Sequence, residues 1–251
     1  MQTATLMLLP ILLSVMPVQA EIDRWSSLRS DIQSSVLSAD AERLHALSLR
    51  LEQWTADDAV WANYWQAYVA YRLANVEPDD DKRKNHLRRC VDASRSAIDA
   101  GEMSGEARAL QASCLGRLAG GGMLSGMRYG SRASAAKEES LIDGPDNPRV
   151  LLLAGSSDFY TPVQWGGDID RAERRLRRAL EQLETPAAGS SKPWQPQWGR
   201  QDAYIHLAQV LHRLDRTEEA LALLDRAVEQ GLDSGWLQTV RRRIKAQSAQ
   251  T

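Results

Sequence analysis

The histidines and serines of this chain lie in no spacing that predicts a catalytic centre or a metal site. The four histidines are scattered, and none belongs to an H-x-x-x-H or H-E-x-x-H pattern, which places two imidazoles on one helix face. The G-x-S-x-G nucleophile elbow is also absent from the sequence. We therefore predict no catalytic residues, no metal and no cofactor, so the informative residues are those that could bind a partner.

The densest charge cluster is a set of arginines in a predicted helix, residues 168–184. Intervals of three and four place four of them on one helix face. They are Arg171, Arg174, Arg175 and Arg178. Guanidinium groups bind carboxylates and phosphates well, so this face could bind an acidic peptide or an anionic polymer. The alternative, which we favour, is a solvated face whose arginines pair with Glu173 and Glu181.

Two tryptophans lie in connections rich in Pro and Gly and are candidate partner contacts. Trp165 belongs to YTPVQWGG, where a proline ends one helix and two glycines precede the next. It is either a peptide contact or a plug that seals the loop, and we favour the plug. Trp194, in the connection 185–200, is the better candidate for an exposed contact, whereas Trp198 is expected to be structural.

Cys90 and Cys114 are the chain's two cysteines, and both lie in predicted helices that flank the turn 100–105. Their midpoint falls in that turn, so in an antiparallel hairpin they lie at the same height, as a disulfide requires. The spacing leaves two alternatives open: a structural disulfide, or two small buried side chains.

The positions of these residues depend on helices. Ala, Leu, Arg and Glu dominate the chain, and apolar residues recur at intervals of three and four, which predicts an all-α protein. We predict helices at about 22–37, 39–54, 57–75, 80–99, 105–118, 129–141, 148–158, 168–184, 199–213, 216–230 and 234–247.

The most regular segment, residues 202–232, has the spacing of a tetratricopeptide (TPR) repeat. The matching residues are Tyr204, Leu207, Ala208, Leu211, Ala220, Leu224 and Ala227. A single helical hairpin of this kind cannot bury its own apolar face, so it predicts neighbouring hairpins in one right-handed α-α superhelix over residues 21–251. The groove-facing residues of its first helix are expected to be Ile205, Gln209, His212 and Arg213.

The glycine-rich segment 119–130, AGGGMLSGMRYG, is a weak candidate for a phosphate cradle. It lacks both G-x-G-x-x-G and a GK[ST] ending, and no predicted strand precedes it. We expect instead a flexible apolar loop that shifts when a partner binds.

Short motifs between residues 127 and 199 resemble a group of exported bacterial tetratricopeptide-like proteins. They are MRYG (127–130), DNPR (146–149), YTP with WGG (160–167) and QWG (197–199). The resemblance implies a TPR-like fold and export but lends no activity. Glu139-Ser140 resembles the Glu-Ser pair of helical lytic transglycosylases, without the flanking Gly- and Gln-rich signature of those enzymes.

Residues 1–20 predict a secretory signal peptide. The apolar run 6–18 is too short to span a membrane, and Val18-Gln19-Ala20 after it is a small-x-small cleavage pattern. We expect cleavage before Glu21, no membrane insertion afterwards, and a periplasmic or secreted location in a Gram-negative-type bacterium.

The function predicted from the sequence is that of an exported, non-catalytic scaffold that binds a protein or peptide in a TPR-like groove. The formal net charge of −2 gives no reason to expect nucleic acid. One alternative is an accessory protein that binds a small solute or polymer, for which an enclosed apolar pocket near Trp165 and Trp194 would be decisive. A cell-wall-cleaving helical enzyme is the least favoured alternative, and would need a cleft with a buried Glu of raised pKa.

Overall fold

The computed structural model describes residues 15–54, 59–101, 104–185 and 192–248, and every regular element in these ranges is helical. The predicted all-α fold is therefore confirmed. The helices are α1 (Val15–Ser38), α2 (Ala41–Glu52), α3 (Ala59–Val76), α4 (Asp80–Asp99), α5 (Ser104–Ala119), α6 (Met123–Asp143), α7 (Pro148–Tyr160), α8 (Ile169–Glu184), α9 (Arg200–Arg213), α10 (Thr217–Glu229) and α11 (Gly235–Ser248), with a short 3₁₀ turn at Val163–Trp165.

Polar side chains at the helix starts explain why most predicted boundaries are close to the observed ones. A side-chain oxygen of the capping residue accepts a hydrogen bond from a backbone N–H of the first turn, which would otherwise lack a partner. The caps are Asp40 on α2, Asp79 on α4, Asn147 on α7 and Asp168 on α8.

The expected flexible loop at 119–130 is wrong, because α6 begins at Met123. Gly122 adopts a φ of 119°, which a residue with a side chain rarely does, and this turns the chain from α5 into α6. The carbonyl of Gly122 then accepts a hydrogen bond of 2.8 Å from the Gly126 N–H, the first of the new helix. Gly126 and Gly130 weaken the helix propensity of this first part, and the good helix formers from Ala135 to Glu139 support the rest of the helix.

Consecutive helices pack as antiparallel hairpins: α3 with α4, α5 with α6, α7 with α8, and α9 with α10. The first helices of successive hairpins also contact one another, α3 with α5, α5 with α7 and α7 with α9. Because each hairpin reverses the chain once, these first helices run in a common direction and form one wall of the array.

The TPR-spaced residues of 202–232 are all buried, so the repeat pattern correctly identified core positions of α9 and α10. The first helix of an earlier hairpin, α3, contributes an aromatic cluster to the same core. There the indole Nε1 of Trp198 donates a 2.9 Å hydrogen bond to the hydroxyl of Tyr64, and its ring stacks on Tyr68 with centroids 4.5 Å apart. The structural role expected for Trp198 is confirmed.

Cys90 of α4 and Cys114 of α5 form a disulfide, with both side chains buried and their Cα atoms 6.4 Å apart. Of the two alternatives left open by the spacing, the structure has the bridge. It fixes α5 to its neighbour, and α5 carries part of the cavity wall described below.

We expect the purified native protein to show no free thiol when it is unfolded without a reducing agent, and both thiols after reduction. Thiol titration in denaturant measures this directly. One or two reactive thiols before reduction would contradict the bridge.

The predicted signal peptide lies mostly outside the described residues, which begin at Val15 in α1. Its cleavage before Glu21 stays a prediction. In the ranges that the structure covers, no helix is both long enough and apolar enough to cross a membrane.

Candidate functional site

A cavity of about 640 Å³ lies on the inner wall formed by the first helices of the hairpins. Its sides come from the C-terminal halves of α3, α5 and α7 and from α9. Apolar side chains such as Leu44 and Leu153 share the lining about equally with polar ones. The polar and aromatic groups considered below are Tyr71, Arg72, Arg117, Ser156, Tyr160 and His206.

Both ends of the chain contribute to this one cavity. Val36 and Ala39 from the α1–α2 turn line it, and so do Ser234 and Trp236 from the start of α11. The array therefore curves far enough to bring its first and last helices to the same space. A cavity closed in this way suits a compact ligand better than a long extended peptide.

Arg117 is the charged group of the cavity wall that no carboxylate neutralises. Its guanidinium donates to the Asn75 side chain at 2.6 Å and to the Ala74 carbonyl at 2.8 Å, and it lies 5.9 Å from the centre of the Tyr71 ring. Desolvation lowers its pKa, and the nearby positive charges of Arg83 and Arg72 lower it further. Among the described residues it has no ion-pair partner, so an anionic group in the cavity would stabilise it.

Arg72, by contrast, is fully paired. It forms a buried ion pair with Asp202 that joins α3 to α9. Because Asp202 compensates its charge, Arg72 shapes the cavity without leaving a free cation there.

His206 and Tyr160 form the aromatic side of the cavity. Burial lowers the pKa of His206 to about 4, so its imidazole is neutral at pH 7. The Tyr160 hydroxyl donates a 2.8 Å hydrogen bond to Gln209 and lies 3.4 Å from Nδ1 of His206. The edge of the His206 ring also meets Trp236, with centroids 5.3 Å apart.

Ser156 adds an unused polar group to the wall. Its side chain is buried, it lines the cavity, and its hydroxyl has no hydrogen-bond partner among the described residues. A buried hydroxyl without a hydrogen-bond partner destabilises the folded protein, because it has lost its bonds to water. A ligand group that forms a hydrogen bond with Ser156 would restore that free energy.

A solved structure shares this architecture. The chain is similar to a haemophore. The HusA haemophore from Porphyromonas gingivalis superimposes with a TM-score of 0.53 at 25% sequence identity. The match covers 77% of this chain and 92% of that one, so it includes nearly the whole haemophore. No protein-family model matches this chain, and no curated protein does.

Three of the four arginines on the α8 face are ion-paired, but with carboxylates other than the predicted Glu173 and Glu181. Asp158 of α7, whose side chain is fully buried, binds Arg171, Arg175 and Lys137. Arg178 pairs with Asp146. The remaining member of the face, Arg174, is exposed. Binding of an acidic partner by this face stays a prediction.

Trp165 is not the plug that the sequence favoured, because 74% of it is exposed. The loop around it is nevertheless tightly held. The Gly167 N–H donates to the Pro162 carbonyl at 3.1 Å, and a Cβ on Gly167 would lie 1.7 Å from the Thr161 carbonyl oxygen. Arg171 also donates to the Gly166 carbonyl at 2.6 Å. The tryptophan is therefore presented to solvent on an ordered loop.

Trp194 lies in a different environment from the one predicted. It is partly buried against the core, its ring centroid is 6.3 Å from that of Trp61, and its carbonyl accepts a hydrogen bond from Trp65. This packing explains why the Pro-rich connection contains a tryptophan at this position. Neither Trp194 nor Trp165 lines the cavity, so it is not the pocket near these two tryptophans that would have decided for the small-solute alternative; its tryptophan is Trp236.

Most of the residues predicted to face a groove on α9 are instead buried or bonded to neighbouring side chains. Ile205 is fully buried in the core, so its prediction is wrong, and Gln209 is buried but contacts Tyr160. His212 bonds to Thr217 and to Gln247 of α11. Arg213 is exposed at the end of the helix. The α9 side chains that line the cavity are Gln201, one turn before Ile205 on the same helix face, and His206, which precedes Gln209 by three residues.

The enzyme alternative requires a buried glutamate with a raised pKa. Glu106 is buried, but its surroundings stabilise the charged form. It accepts hydrogen bonds from Tyr64, Asn147 and Arg149. Burial alone would raise its pKa, yet Arg149 and these donors keep it below its usual value. Glu139 is exposed and paired with Arg108. Glu106 therefore lacks the raised pKa of a general acid, and Glu139 is not the buried glutamate that the enzyme alternative needs.

Proposed function

We propose that this protein is an exported, non-catalytic carrier that binds a compact, largely apolar anion of the haem class in its central cavity. The observation that carries the proposal is Arg117, a partly buried guanidinium without a carboxylate partner among the described residues, on the wall of a cavity lined by both apolar and polar side chains. The volume, about 640 Å³, is within the range of small-ligand sites.

The likeness to a haemophore supports the same ligand class. Haem is a flat apolar ring that carries propionate carboxylates on one edge. A ring against Tyr160 and Trp236 would place apolar surface on aromatic surface. A carboxylate at Arg117 would form a charge-assisted hydrogen bond, and Ser156 could donate another.

The metal of such a ligand has one imidazole within reach of the cavity. All four histidines are in the described ranges, and only His206 is in the wall. A neutral imidazole is the form that binds metals. Metal-free protoporphyrin therefore separates binding by the ring and carboxylates from binding through iron.

The test is a titration of the exported protein with haemin and with protoporphyrin IX, followed by absorbance and by tryptophan fluorescence. We expect saturable binding at one site, and we expect Arg117→Gln to weaken it roughly tenfold or more because a charged hydrogen bond is lost. The matched control is Arg174→Gln, an exposed arginine outside the cavity, which should bind as the parent protein does.

No saturable binding of either compound would overturn the haem-class ligand. Equal loss of affinity in both arginine variants would show that general charge, and not the cavity, attracts the ligand. A change of the haem spectrum that Arg117→Gln leaves intact but His206→Gln abolishes would assign the interaction to the iron.

A peptide or protein partner is the second candidate, favoured by the exposed and ordered Trp165. In that case Trp165→Ala should weaken capture of the partner, whereas Arg117→Gln should not. The two variants therefore distinguish a surface contact from cavity binding.

A further inference from the structure

One edge of the helical array carries exposed apolar side chains from two adjacent turns. Because α5 and α7 run in the same direction and contact each other, the turns that follow them lie side by side. We call this surface the apolar edge. Its members are Met123, Leu124 and Met127 at the start of α6, and Val163 and Trp165 after α7, with exposed fractions of 83%, 81%, 75%, 81% and 74%.

A second cavity, about 500 Å³ in volume, opens beside the α6 part of the apolar edge. The buried Leu87 and Leu118 give it an apolar floor, and the exposed Leu124 also lines it. Its cationic groups are Arg83, Lys84, Arg88, Arg117 and Arg128.

These cations are only partly neutralised. Arg83 and Lys84 share Asp80, the acidic residue in the lining of the second cavity. Arg88 donates to the neutral Asn85, and Arg128 lies over the Tyr129 ring at 5.3 Å. In the described residues neither arginine pairs with a carboxylate, so the second cavity has an excess of positive charge.

We infer that the apolar edge docks on an anionic lipid bilayer. The methionines, Leu124 and Trp165 enter the headgroup boundary, and the second cavity receives a lipid phosphate through Arg88 and Arg128. Apolar side chains flanked by arginines are the composition of a surface that lies in the membrane interface. The formal net charge of −2 does not oppose this, since charges more than a Debye length away are screened.

The shape of the edge favours a bilayer over a protein partner. A stable protein interface needs a continuous patch of about 800 Å² on each side. Here the apolar residues project from two narrow turns, with a basic cavity between α4 and α6, and this arrangement can enter a fluid surface without a matching shape.

The ligand cavity adjoins the same edge. Arg117 lines both cavities, so the two are neighbours at this side chain. Docking would therefore bring the bound ligand close to the lipid surface. The docking inference itself does not depend on which ligand the central cavity holds.

The test is flotation of the exported protein with vesicles of phosphatidylglycerol and phosphatidylcholine, and with vesicles of phosphatidylcholine alone. We expect binding to the anionic vesicles that weakens as salt rises. The double variant Leu124→Ser with Met127→Ser should lower the partition coefficient about tenfold or more, and Arg128→Gln about fivefold.

The matched control is Ile142→Ser. Ile142 lies on the same helix with 77% of its surface exposed, but it is 18 residues from Leu124 and so about 27 Å away at the opposite edge. It should bind vesicles as the parent protein does. All variants carry the same N-terminal segment, so an uncleaved signal peptide would contribute equally to the vesicle binding of each.

Equal losses in the edge and control variants would overturn the docking inference, and so would equal binding to neutral vesicles. Absence of vesicle binding would reject the bilayer and leave a protein as the occupant of this edge. Haemin titration of the same variants without vesicles separates the two proposals, because edge variants should keep their ligand affinity even where docking is lost.

Discussion

Replacing Asp202 by Asn is expected to lower the free energy of unfolding by about 3–5 kcal/mol, because it leaves the buried Arg72 without a compensating charge. Both side chains are almost inaccessible to solvent, and a guanidinium stays protonated at pH 7 even when its partner is removed, so Arg72 would remain as a buried charge. Urea denaturation at pH 7, followed by circular dichroism, measures the change. The same substitution adds an unpaired cation to the ligand cavity.

Removal of both partners is the control. The double variant Arg72→Met with Asp202→Leu should recover much of the lost stability, since apolar side chains of similar size often replace a buried ion pair at little cost. A single Asp202→Asn change of less than about 1 kcal/mol would mean that the pair is open to water, as exposed pairs contribute only that much. A double variant as unstable as the single one would instead indicate that the packing around α3 and α9 depends on the pair.

The helices could be predicted from the sequence because their signals are local. A capping residue such as Asp168 and the apolar spacing of α9 and α10 act over a few residues, and each marks one boundary or one buried face. The start of α6 was missed for a local reason too. Its glycines weaken helix propensity, yet Gly122 is the turn residue and the helix begins directly after it.

The cavity could not be predicted in the same way. Arg117, Ser156 and Trp236 belong to three helices and to no motif, and they meet only because the array curves until α11 approaches α1 and α2. That curvature is the sum of small rotations between hairpins, and the sequence of one hairpin does not encode it.

The error at Ile205 has a related cause. In an isolated repeat the inner face of the first helix is open, so its residues are expected in the groove. In this chain α9 is covered by α8, α10 and α11, and eleven consecutive residues from Gln201 to Leu211 are buried. The groove face is therefore reduced to the few α9 residues that reach the cavity, including His206.

His206 also predicts how stability depends on pH. Its pKa is about 4 in the folded protein, mainly because burial disfavours the charged imidazole, against 6.5 in an exposed chain. Below pH 6.5 the unfolded chain binds a proton that the folded protein does not. Stability is therefore complete above pH 6.5 and falls as the pH decreases towards 4, by about 3 kcal/mol for a shift of this size.

Urea denaturation at half-unit intervals between pH 7.5 and 4 would show this decline, with His206→Gln as the comparison. The variant should lose most of the slope between pH 6.5 and 4.5, because glutamine does not titrate. A smaller slope should remain from His86, whose pKa burial also lowers. Near pH 4 and below, both proteins should lose stability together, since protonation of Glu106 breaks its bonds to Arg149 and Tyr64. An unchanged slope in His206→Gln would mean that the imidazole is hydrated in the folded protein, and the cavity would then be wetter than an apolar ligand site requires.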